Sequence, residues 1–107
     1  MFSYRCAALL AAACLAVSAA QAATVPVTID NFTFSPKEIT VKPGDTVTWT
    51  NQDDIPHTVR ASPDGAWKCS VMDTGESCTI TFKEAGSFPY FCSLHPHMTG
   101  TVIVKPE

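Results

Sequence analysis

The stretch V-P-V-T-I-D-N-F-T-F-S-P-K-E-I-T-V-K-P-G-D-T-V-T-W, Val25 to Trp49, alternates apolar and polar side chains over most of its length. Val25, Val27 and Ile29 alternate with Pro26, Thr28 and Asp30; Phe32 and Phe34 follow, then Ile39 and Val41, then Val47 and Trp49. A period of two sends successive side chains to opposite faces of an extended chain, so each set predicts a strand with one buried face. Pro36, Pro43-Gly44, Asn51 to Asp54, Pro63-Asp64-Gly65 and Ala85-Gly86 interrupt the pattern as turns. Eight prolines and five glycines deny a place to any long helix, although Asp64 to Ser70 could hold one turn. The expected fold class is all-β, a sandwich or barrel.

Outward from this stretch toward the N-terminus, Met1 to Arg5 carries one positive charge, Cys6 to Val17 is an unbroken apolar run, and Ala20 and Ala22 form an A-x-A pattern. That is the layout of a secretory signal peptide over residues 1–22, cleaved after Ala22. The run of 12 apolar residues is shorter than the roughly 20 that cross a bilayer. Cys14 slightly resembles a lipoprotein processing site, but the bulky residue before it lies one place too far upstream. Residues 23–107 remain, 85 in number, enough for a single small domain and too few for two. They hold six basic and ten acidic residues, a formal charge of −4. No Lys/Arg cluster suggests a nucleic-acid surface. No Ser-His-Asp set, HExxH motif or phosphate-binding glycine loop suggests an enzyme.

Cysteine use is informative. Cys6 and Cys14 leave with the leader, so the exported chain keeps Cys69, Cys78 and Cys92. An odd count in an oxidising compartment implies one thiol with a separate task. Cys92 is the candidate for that task and Cys69–Cys78 the candidate disulfide, since Asp73-Thr74-Gly75 between them reads as a hairpin turn. Two reduced buried cysteines, or a second metal site from Cys69, Met72 and Cys78, are the alternatives.

The segment Y-F-C-S-L-H-P-H-M-T-G, Tyr90 to Gly100, sets Cys92, His95 and Met98 at equal intervals of three. One tight loop can aim a thiolate, an imidazole and a thioether at a single point. His57, in N-Q-D-D-I-P-H-T-V from Asn51 to Val59, supplies a second imidazole after a turn. Two imidazoles and a thiolate with a weak axial thioether form the donor set that selects copper for electron transfer. Zinc is the rival metal, but its structural sites use four Cys or His ligands and a methionine is a poor fourth. His97 lies between two expected ligands and is expected to face solvent. Asp53 and Asp54 read as a solvated turn, and Trp49, Trp67, Phe82 and Phe88 as core or edge aromatics.

The elements V-K-P-G-D-T-V-T-W-T-N, P-H-T-V and Y-F-C-S-L-H-P-H-M-T-G-T-V-I-V strongly resemble the type 1 (blue) copper proteins of the cupredoxin family, with amicyanin-like spacing in the Cys-x-x-His-x-x-Met loop. The resemblance covers nearly all of residues 23–107. It implies a Greek-key β-sandwich with His57, Cys92, His95 and Met98 as ligands of one copper ion. It further implies an electron carrier that docks transiently near His95 with a c-type cytochrome or a periplasmic dehydrogenase; the leader makes it periplasmic, and a monomer is expected. A periplasmic copper carrier or chaperone is the second reading, and an interaction module without redox turnover the third. Many members place Asn directly after the first histidine ligand, where this chain has Thr58. That departure bears on the tuning of the site and hence on its potential.

Overall fold

The computed structural model describes residues 21–107. The leader expected over residues 1–22 therefore lies outside the described residues except for its last two. Nine strands follow one another: β1 (Thr24–Asp30), β2 (Thr33–Ser35), β3 (Glu38–Val41), β4 (Thr46–Asn51), β5 (His57–Ala61), β6 (Lys68–Met72), β7 (Ser77–Thr81), β8 (Gly86–Cys92) and β9 (His95–Val104). They form a four-stranded sheet in the order β2-β1-β4-β7 and a five-stranded sheet in the order β3-β9-β8-β5-β6. β1 runs parallel to β4, and β3 parallel to β9. The chain changes sheet from β2 to β3, from β3 to β4, from β4 to β5, from β6 to β7 and from β7 to β8. This is a sandwich, one of the two architectures expected from the alternating sequence, in the Greek-key form that the resemblance implies.

Alternation decides what each strand buries. β4, T-V-T-W-T-N, turns Val47, Trp49 and Asn51 fully inward. Its outer threonines pair with neighbouring strands, Thr48 Oγ1 with Thr79 Oγ1 and Thr50 Oγ1 with Ser77 Oγ, both at 2.8 Å. Cross-strand pairs of this kind contribute about 0.2–1 kcal/mol each. Val27 and Ile29 of β1, Val59 of β5, Tyr90 of β8 and Val102 and Val104 of β9 complete a core drawn from both sheets. Each such apolar side chain, fully buried, stabilises the fold by about 1.5–3 kcal/mol. Within the core, burial pushes the Tyr90 phenol up to about 12, with the neighbouring Trp49 indole acting in the opposite sense.

Three expectations are corrected by the fold. Phe32 does not continue the strand pattern. It sits in the turn between β1 and β2 with φ of 58°, after Asn31 at 53°, and is 52% exposed. The stretch from Asp64 to Ser70 holds no helical turn, because β6 already begins at Lys68. Cys69 and Cys78 are indeed bonded, with Cα atoms 6.0 Å apart, but not across a hairpin. β6 and β7 belong to different sheets, so the disulfide ties the two layers together and the turn at Asp73 to Glu76 carries the chain from one to the other.

Candidate metal centre

Two strand irregularities build the site. β5 is bulged between His57 and Val59 where it pairs with β6, and β8 is irregular between Phe91 and Cys92 where it pairs with β9. A bulge breaks strict alternation and redirects a side chain. As a result both His57 and Thr58 are buried, although neighbours in a regular strand would face opposite ways. His57 and Cys92 have no solvent exposure, and His57 Nδ1 lies 3.7 Å from Cys92 Sγ.

The tight connection between β8 and β9 pairs Cys92 with His95. The His95 ring is half-buried, with its centroid 5.1 Å from that of His57. After the exposed Pro96 and His97, Met98 turns inward and is 5% exposed. The outward position of His97 agrees with its sequence reading. Among the described residues no three His, Cys, Asp or Glu side chains by themselves assemble a metal cage. The arrangement is a contacting His57–Cys92 pair flanked by His95, with Met98 buried in the core cluster that also holds Cys92.

The surroundings favour a thiolate. The Thr58 N–H donates to Cys92 Sγ at 3.3 Å, with the Thr58 hydroxyl 3.7 Å away. Burial alone would push the Cys92 thiol up, but hydrogen bonds, chief among them that from the Thr58 N–H, outweigh it and hold the thiol below its ordinary value. Cys92 is also the one free cysteine among the described residues. These donors fit a soft metal.

Sequence reasoning missed Asp53. Far from a solvated turn residue, its Oδ2 lies 2.8 Å from His57 Nε2 and accepts the Phe32 N–H at 2.9 Å. The Phe32 N–H, and next His57, hold the carboxyl below its ordinary range. The available signal was its place four residues before a candidate ligand histidine.

A β-sandwich that buries a cysteine–imidazole pair, with a methionine in the same core cluster, points to a protein built for a soft metal ion. The chain belongs to the copper binding proteins of the plastocyanin/azurin family, whose profile matches residues 21–105, and copper is its cofactor. It is 39% identical over 85 residues to amicyanin of Paracoccus versutus, covering 76% of this chain and 64% of that protein. It is 35% identical over 103 residues to amicyanin-alpha of Methylorubrum extorquens, covering 92% and 87%. The solved Cu(I) structure of an amicyanin mutant superposes with a TM-score of 0.72 at 35% identity, covering 77% of this chain and 82% of that one. The chain thus spans just under two thirds of the Paracoccus versutus protein's length.

Proposed function

We propose that this protein is an exported electron carrier, with His57, Cys92, His95 and Met98 as the ligands of its copper. When bound, the metal supplies a one-electron Cu(II)/Cu(I) couple. His57 presents Nδ1 beside the Cys92 sulfur, His95 closes the surface side, and Met98 offers a weak thioether from the core. Residues 1–22 serve as the export leader, which places the carrier in the periplasm. Its partners are redox proteins such as a c-type cytochrome or a periplasmic dehydrogenase, and the protein itself catalyses no substrate turnover.

The observation that carries this reading is the buried His57–Cys92 contact on two bulged strands. Donors held in this way cannot spread to suit either oxidation state, so little has to move when the electron arrives. A carrier that hands over the metal needs donors that open. At the surface, Leu94 is 48% exposed next to the half-buried His95. An apolar side chain there suits a small, short-lived encounter with a partner.

The test mixes the copper-loaded mature protein with a c-type cytochrome. Repeated cycling with retention of copper is expected, and Leu94→Glu should slow the exchange without bleaching the visible band. Rapid loss of Cu(I) to a chelator with no cytochrome reaction would replace this reading by that of a copper carrier.

A further inference from the structure

We propose that Asp53 is a positioning residue of the copper site, its one carboxylate oxygen both orienting His57 toward Cys92 and seating Phe32 against the two imidazoles. The inference rests on His57 and His95 being ligands. Asp53 Oδ2 and His57 Nε2 are 2.8 Å apart, the imidazole fully buried and the carboxylate 15% exposed. A carboxylate only accepts, so His57 donates its Nε2–H. Nδ1 is left with its lone pair, on the side of the ring that faces Cys92 Sγ at 3.7 Å. A partner on the far nitrogen thus sets which nitrogen is free for a metal.

The same oxygen accepts the Phe32 N–H at 2.9 Å. Phe32 and Asn31 both hold positive φ, at 58° and 53°, a conformation that costs of order 1–3 kcal/mol per residue outside glycine. Something must hold that turn, and the Asp53 contact does. The Phe32 ring then stands edge-on to His57, with centroids 5.6 Å apart, and to His95, at 5.0 Å. Asp53 is itself anchored. Its N–H donates to Asn51 Oδ1 at 2.9 Å, and its carbonyl accepts the Thr74 hydroxyl. Asn51 Nδ2 in turn donates to the carbonyls of Ile55 and Met72, both at 2.9 Å. A rigid anion behind one ligand makes that imidazole a better donor and favours the more highly charged Cu(II).

Two variants test this. Asp53→Asn keeps the shape and an acceptor but removes the charge. Loss of such a partner typically costs 10- to 100-fold in metal affinity. A tenfold fall confined to Cu(II) raises the reduction potential by about 59 mV. Asp53→Ala removes the acceptor; in the metal-free mature protein, nitrogen-15 NMR of His57 should show a single Nε2–H tautomer in the wild type and a mixture in the variant. A wild-type potential in Asp53→Asn, or an unaltered tautomer in a folded Asp53→Ala, overturns the proposal; if Asp53→Ala does not fold, the potential of Asp53→Asn decides alone. A wild-type protein that takes up no copper overturns the ligand assignment, whereas a blue protein indifferent to Asp53 overturns this inference only.

Discussion

The backbone N–H of Thr58 donates to the sulfur of Cys92 at 3.3 Å, joining residues 34 apart in sequence. A main-chain donor survives any side-chain change, so this bond to the thiolate is independent of whether threonine or asparagine follows His57. What the threonine adds is its hydroxyl. Thr58 Oγ1 accepts the Ser93 N–H at 2.7 Å and lies 2.8 Å from Ser93 Oγ and 3.7 Å from Cys92 Sγ. The side chain thereby latches the loop that follows the cysteine to the strand that carries the histidine.

Thr58→Ala should accordingly cost about 1–3 kcal/mol in denaturant unfolding, because the partly buried Ser93 N–H loses its acceptor. It should also lower the reduction potential. A hydrogen bond to the sulfur favours the reduced, more electron-rich site, and one of them is removed. Voltammetry and a urea titration check both halves, and a variant matching the wild type in both would leave Thr58 with no part in the site.

Reduction of the Cys69–Cys78 bridge should add two hydrogens to the intact mass of the mature protein, and alkylation before reduction should label at most Cys92. The bridge joins cysteines nine positions apart in the chain and ties the two sheets together. Its loss should lower stability by about 2–3 kcal/mol in the chain-entropy account. Labelling of all three thiols without reductant would contradict the bond.

Much of this was legible because local pattern and tertiary role coincide. Val47 and Trp49 face inward as their alternation demands, and the odd cysteine count separated Cys92 from Cys69 and Cys78. The short interval between Cys92 and His95 reads as a tight strand connection, and the two residues are paired across it. Phe32 misled because alternation was carried through a turn, whose left-handed backbone reverses the facing of the side chain. Asp53 was missed for a different reason, its spacing from His57 being only a weak signal. Its role depends on the Phe32 N–H, 21 residues away, and on a histidine ring whose direction is set by a bulge. The partner sheet of β7 was likewise hidden, since a turn signal marks a reversal without naming the layer the chain returns to.

Asp45 supplies a pH-dependent contribution. It is buried, accepting the Ala23 N–H on Oδ1 at 2.8 Å and the Lys42 N–H on Oδ2 at 2.9 Å. The Ala23 bond, and next that of Lys42, lower its carboxyl from the ordinary 3.8. A carboxyl depressed in the folded state stabilises it above the unfolded value, and that contribution is lost as the pH falls through the folded value. Asp45→Asn has one acceptor where two are used, so it should melt below the wild type at pH 7. The gap should narrow as the pH is taken below 3.8. A gap that stayed constant down to acid pH would assign the effect to packing alone. If export processing cuts after Ala22, the donor becomes the α-ammonium of Ala23, and acetylating that amine should lower the melting temperature of the wild type but not of Asp45→Asn.

Met98 separates the roles of ligand and core residue. It is 5% exposed and packs in the cluster that includes Phe34 and Val102, so any polar replacement will cost stability whether or not the sulfur meets copper. The potential is the discriminating readout. Met98→Gln puts a harder oxygen in place of the thioether, which favours Cu(II) and should lower the potential while copper stays bound. Met98→Leu keeps the volume and the apolar contact, costs less than about 1.5 kcal/mol as a near-isosteric swap, and removes the donor, so the potential should rise. Opposite shifts of the two variants identify an axial ligand. If both lose stability in proportion to their misfit and neither moves the potential, Met98 is a core residue only and the fourth donor must be sought elsewhere.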